Sequence, residues 1–202
     1  MLMLHFYVEE LSAEAALIEL VPRILADYDF DYEIFTFQGK PDLLRKLSNR
    51  LKAYQHYPGD DWRVIVLVDL DSEDCMKLKQ RLESAVRDAG LETRTSSPTR
   101  YRVINRIAIE ELEAWFFGDV KAMVTAYPRV DPNLASQAPY RNPDAIVGGT
   151  SERLEQLLQH DHPGGLEKIR AASEIAKYMH PSRNRSKSFQ VFHEALLALF
   201  VT

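Results

Sequence analysis

Val64-Ile65-Val66-Leu67-Val68-Asp69-Leu70-Asp71-Ser72-Glu73-Asp74 is the stretch that decides the fold. Five apolar residues in a row lead into three aspartates. A short apolar run rich in Val and Ile reads as a strand buried on both faces, the pattern of a parallel sheet. In an open α/β sheet, ligands bind beyond the carboxyl ends of the strands. Carboxylates crowded there repel one another unless a cation offsets them, and oxygen-only donors suit Mg²⁺ or Mn²⁺. The competing reading of Asp69, Asp71 and Asp74 is an acidic N-cap and first turn for the helix that follows.

Working outward, Leu2 to Val8 is a short apolar strand ending in Glu9-Glu10. Ser12 is placed to cap a helix over Ala13 to Ala26, with Pro22 as a kink. Tyr32 to Phe37 alternates as a second strand, Gln38-Gly39-Lys40-Pro41 is a turn, and Leu43, Leu44, Leu47 and Leu51 mark a helix from about Asp42 to Tyr54. Glu73 to Ala89 is an amphipathic helix stopped by Gly90. The order β-α-β-α-β-α, with right-handed crossovers, implies a three-layer sandwich around a mainly parallel sheet. Glu9 and Asp69/Asp71, about sixty residues apart, then emerge on one sheet edge and can share a metal. Leu91 to Arg94 and Tyr101 to Ile109 supply one or two further strands. A core over residues 1–118 is expected, with residues 119–202 as a helical extension packed on it: a Pro-rich stretch, then helices over Ser151 to Gln159, Gly165 to Tyr178 and Ser188 to Phe200.

Composition narrows the function. A chain of 202 residues with 46% hydrophobic content can bury a full core. Its 25 basic and 30 acidic residues give a formal charge of -5, which excludes a broadly basic nucleic-acid binder but not a local basic groove. The single cysteine, Cys75, excludes an internal disulfide and a cysteine metal site, and fits a reducing compartment. No leader and no apolar run of about twenty residues is read, so a soluble, cytoplasmic protein with no membrane contact is expected. The six histidines have no zinc-ligand spacing, and no G-x-x-x-x-G-K-[ST] phosphate loop occurs.

Three motifs in order carry a resemblance. Phe6-Tyr7-Val8-Glu9-Glu10-x-Ser12-Ala-Glu14 looks like the strand–glutamate–turn–helix opening of Toprim domains, and Val66-Leu67-Val68-Asp69-Leu70-Asp71 like their Asp-x-Asp motif. Glu111-Leu112-Glu113-Ala114-Trp115 resembles the glutamate segment of overcoming-lysogenization-defect (OLD) nucleases. The whole chain resembles a bacterial Toprim-like family of unknown function, with the likeness extending through Phe37 to Lys40, Asn105 to Phe117 and Asn184 to Phe192. One departure is Glu10, which stands where that family usually has glycine.

The resemblance implies metal-dependent phosphoryl transfer. Asp69 and Asp71 are expected to hold one or two Mg²⁺ or Mn²⁺ ions, with Glu9 as general base or further ligand and Glu113 completing a second metal's shell. Asp74 is an outer ligand, and Glu111 (or Glu110) the reserve for Glu113, depending on the segment's conformation. Trp115, Phe116 and Phe117 read as core rather than as a stacking platform. In Ser182-Arg183-Asn184-Arg185-Ser186-Lys187-Ser188, Arg183, Arg185 and Lys187 precede a helix and are candidates for phosphate or nucleic-acid contact; a solvated loop is the plain alternative. Lys187 could instead steady the reacting phosphate, as a lysine does in some OLD-type sites, and Lys40 is a further phosphate contact. Together these predict a Toprim-type nuclease acting on DNA or RNA, working beside a separately encoded ATPase in phage defence, with its oligomeric state open. The alternatives are another metal-dependent phosphoryl-transfer enzyme and a non-catalytic binding or regulatory subunit.

Overall fold

The computed structural model describes residues 1–200. Strands β1 (Leu2–Val8), β2 (Phe30–Thr36), β3 (Trp62–Asp69) and β4 (Val103–Ala108) form one sheet in the order β2-β1-β3-β4. Its strands are all parallel, so the chain has the α/β fold class with C-terminal helices. The helices are α1 (Leu11–Ile24), α2 (Lys40–Lys52), α3 (Cys75–Asp88), α4 (Glu113–Gly118), α5 (Val120–Ala126), α6 (Thr150–Leu158), α7 (Lys168–Ala176) and α8 (Lys187–Leu197). Two compact units result: residues 1–10 with 27–107, and residues 11–26 with the chain from 108 onward.

In the first unit, Val64, Val66 and Val68 of β3 pack with Tyr7 of β1, Leu43, Leu47 and Leu51 of α2, and Leu78, Leu82 and Val86 of α3. Side chains alternate along a strand, so Ile65 and Leu67 point to the opposite face, and they are buried too. The apolar run therefore has no wet face. Register then places the chemistry: Val8 pairs with Leu67 on one side and Thr36 on the other, so Glu9 leaves β1 level with the end of β3. Tyr101 to Ile109 yields only β4, while Leu91 to Arg94 contributes a single bridge, Thr93 to Val103.

The second unit gathers α1 with α4 to α8. Trp115, Phe116 and Phe117 are fully buried, and Trp115 donates to Ser188 Oγ at 3.0 Å while its ring meets Phe189 and Phe192. These aromatics are core. Helix α1 starts at Leu11 and carries Ser12 inside it, and Pro22 sits in its last turn. There Arg23 donates to the carbonyls of Ala176 (2.7 Å) and Met179 (2.8 Å), which ties α1 to the end of α7 and the turn beyond it. Gly118 is required by close approach: a Cβ there would stand 2.0 Å from Asn184 Oδ1 and 2.9 Å from the Ser186 nitrogen.

Candidate active site at the carboxyl edge of the sheet

Glu9, Lys40, Asp69, Asp71 and Glu73 all belong to the first unit. The Glu9 carboxylate accepts a hydrogen bond from the Asp69 amide at 2.7 Å, so two strand ends far apart in sequence are tied directly. The turn after β2 continues the strand pairing: Phe37 N–H donates to Val8 O, and Gly39 N–H to Glu9 O. Gly39 has φ +82°, a conformation glycine adopts without strain, and it starts α2 with Lys40 as its first residue.

Lys40 is buried, and its ammonium is ringed by oxygens. It donates to the carbonyls of Asp69 (2.8 Å) and Leu70 (3.1 Å), and pairs with Asp71 (2.6 Å) and Glu73 (3.1 Å). Asp71 reaches it from a left-handed backbone, φ +50°, which Asp adopts more readily than most residues. Glu73 is shared with Arg81 at 2.6 Å. Asp74 accepts from the Lys77 amide at 2.8 Å and is the N-cap of α3, so for this residue the helix-capping reading describes the observed contact.

Burial pushes the Glu9 carboxyl up to about 7; the Asp69 amide and Lys40 oppose that rise, and the nearby charges of Asp71 and Glu10 add to it. Burial alone would lower Lys40, but its bonds to Asp71 and Glu73 prevail and hold it above its ordinary value. Glu73 is held low, chiefly by Lys40. One ammonium thus serves two carboxylates, while Glu9 is left short of positive charge.

The oxygen-only set of Glu9, Asp69 and Asp71 is of the kind a hard divalent cation takes. Under-neutralised Glu9 fits that need. Among the described residues, however, no group of three or more His, Cys, Asp or Glu side chains stands ready to hold a metal ion, and the positive charge beside Asp71 comes from Lys40.

The other candidates sit in the second unit and are committed differently. Glu111 accepts from Thr150 Oγ1 (2.9 Å) and the Ser151 amide (2.8 Å), closing the start of α6. Glu110 has φ +62°, which breaks the segment before α4 begins at Glu113. Glu113 is buried, with Lys168 Nζ 4.0 Å from its carboxylate.

The basic turn before α8 is used internally. Arg183 forms a two-pronged bond to buried Asp119, at 2.7 and 2.8 Å, rather than offering its guanidinium to a phosphate. Arg185 donates to Tyr140 O at 3.4 Å. The Lys187 amide, the Ser188 amide and the hydroxyls of Ser186 and Ser188 all donate to the carboxylate of Asp144. The positive end of α8 attracts an anion as expected, but the anion is the chain's own. Glu73, Asp119 and Asp144 were not singled out from sequence. Glu73 lies inside the acidic run and Asp119 caps α5 by accepting from the Ala122 amide, both local signals; the other partners of Asp119, and those of Asp144 before α8, stand 42 to 64 positions away.

A family model described as a domain of unknown function (DUF4276) matches residues 8–197, so the chain belongs to that family. Neither a comparison with curated proteins nor one with solved structures finds a match.

Proposed function

We propose that this member of the DUF4276 family hydrolyses phosphodiester bonds of DNA or RNA, using Mg²⁺ or Mn²⁺ held by Glu9, Asp69 and Asp71. The observation that supports it most is the 2.7 Å bond between the Glu9 carboxylate and the Asp69 amide at the carboxyl edge of a parallel sheet. That bond joins the two strand ends whose motifs resemble Toprim domains. A bound divalent cation supplies Lewis acidity toward the phosphate.

The protein's own residues have separable tasks in this reading. Glu9, raised to about 7 in the metal-free chain, would either hold the cation beside Asp69 and Asp71 or, left unligated, take a proton from an attacking water near neutral pH. Lys40 can turn its ammonium from Asp71 to a phosphate oxygen once the carboxylates are otherwise neutralised. Glu111 and Asp74 have capping bonds that favour a structural role for both. Because the chain has no phosphate-loop motif, ATP-driven steps in phage defence fall to a separately encoded ATPase. A cytoplasmic setting suits a chain with one free cysteine.

The test is a panel of labelled single- and double-stranded DNA and RNA incubated with Mg²⁺ or Mn²⁺. Cleavage by the wild type that is lost in Asp69→Ala/Asp71→Ala is the expected result. No cleavage of any substrate by the wild type, with or without the partner ATPase, would sink the nuclease reading.

A further inference from the structure

Away from the carboxylate edge, the first unit carries a cluster of arginines at the start of β4. The Val64 amide donates to Arg102 O, and the Arg94 amide to Val103 O, so Arg63 and Arg94 flank β4 from its two sides. Both guanidiniums lie against one ring, that of Tyr101, at 5.6 Å and 6.0 Å from its centroid. Arg106 lies about four residues further along β4 than Arg102, roughly 13 Å at the strand repeat.

The contrast with the other arginines nearby is in their partners. Arg102 is satisfied by Asp60 and lies over Trp62, and Arg100 is paired with Glu92 at 3.5 Å. Among the described residues, Arg63 donates only to the backbone carbonyls of Asp60 and Trp62, and Arg106 only to that of Asn105. The Nε of each is buried without a hydrogen-bond partner there. Acidic groups act on them only at longer range, Asp60 and Asp61 on Arg63 and Glu83 on Arg106. Burial first, then the like charge of Arg102 on Arg63 and of Arg94 on Arg106, works against keeping these groups charged. Unpaired guanidiniums held together on an aromatic ring are a costly arrangement unless an anion completes it.

The geometry points to a docking surface for a nucleic-acid strand, with Arg63, Arg94 and Arg106 on its backbone phosphates and Tyr101 holding the first two in place. A strand fits better than a lone phosphate, because the three guanidiniums come from separate segments, Arg63 from β3, Arg94 from the stretch that bridges to Val103 and Arg106 from β4, and each can take its own backbone phosphate. Guanidinium forks match phosphate oxygens. The surface has this role only if the chain acts on nucleic acid, as proposed above, and it puts substrate binding here rather than at the turn before α8.

The experiment is fluorescence anisotropy with labelled DNA and RNA oligonucleotides in EDTA, where no metal-dependent cleavage interferes. Arg94→Gln/Arg106→Gln should weaken binding at least about tenfold, with the salt slope falling by about 0.7–0.9 for each phosphate that is no longer neutralised. Arg141→Gln, at an exposed arginine outside this cluster, should bind like the wild type. Arg94→Glu, a change at a half-buried residue that lies against a ring face, guards against misfolding and should also weaken binding while the circular dichroism spectrum is kept. Wild-type affinity and salt slope in the arginine variants overturn the inference, as does no binding by the wild type, or displacement of the strand by polyglutamate as readily as by unlabelled oligonucleotide. Arginine-dependent binding without cleavage overturns the nuclease reading alone; cleavage with arginine-independent binding overturns this inference alone.

Discussion

Glu9 is a buried carboxyl whose charge the fold only partly accommodates. Its folded-state value of about 7 lies above the ordinary 4.5, so between these limits the folded chain holds a proton that the unfolded chain has released. Its contribution to the stability of the metal-free protein is therefore full below about pH 4.5 and is lost as pH rises toward 7, by about 1 kcal/mol per unit, while His5 and His193, lowered by burial, act with the opposite sign near their ordinary value. Asp42 and Glu73, held low by their lysine partners, act with the opposite sign at more acid pH. Urea midpoints in EDTA at about pH 5 and pH 7.5 check this: the wild type should lose stability relative to Glu9→Gln between the two, and an unchanged difference would refute the assignment. Lys40→Gln strips Asp71 of its cation and leaves Glu73 with Arg81 alone. With both carboxylates partly exposed, the loss should be about 1–2 kcal/mol in EDTA, and Mn²⁺ should restore more of it than it adds to the wild type. Glu9, Asp69 and Asp71 were legible in sequence because strand ends can be read from apolar runs. The place of Lys40 was not, since it depends on Gly39 turning the chain back over the neighbouring strand.

At the scale of elements, acidic residues divide by what the nearest helix needs. Asp74 caps α3, so Asp74→Ala should cost about 1 kcal/mol by thermal denaturation and leave metal-dependent cleavage unchanged. A large loss of cleavage with little loss of stability would return it to the metal site. Asp144 closes the start of α8 from another segment, and Asp144→Ala should cost about 2 kcal/mol, since it frees two amides and two hydroxyls at once. Strand and helix identities followed from periodicity: the alternation of β2, the leucine stripe of α2 and the apolar run of β3 each have one reading. The start of α6 and the turn before α8 did not. Ser186 caps α8 locally, but the carboxylates that close the two starts, Glu111 and Asp144, come from 39 to 44 residues away, and a basic turn looks the same whether its anion is a phosphate or the chain's own carboxylate.

Over the whole molecule, sequence order and spatial grouping part company. Helix α1 follows β1 directly yet belongs to the unit of α4 to α8, where Arg23 ties it to the end of α7. Periodicity along the chain shows that α1 is amphipathic but not which elements will share its core. Glu9, Asp69 and Asp71 belong to one unit, and they form the nucleus of the functional account. No helix among the described residues is long and apolar enough to cross a membrane. The central claim is that these three carboxylates hold a divalent cation, and calorimetric titration of Mn²⁺ into the folded protein tests it most directly. The account predicts saturable binding by the wild type and a loss of at least about tenfold in affinity, roughly 1.4 kcal/mol, in Asp69→Asn/Asp71→Asn of unchanged circular dichroism. Equal Mn²⁺ affinity in the two proteins, or no binding by the wild type, would contradict it.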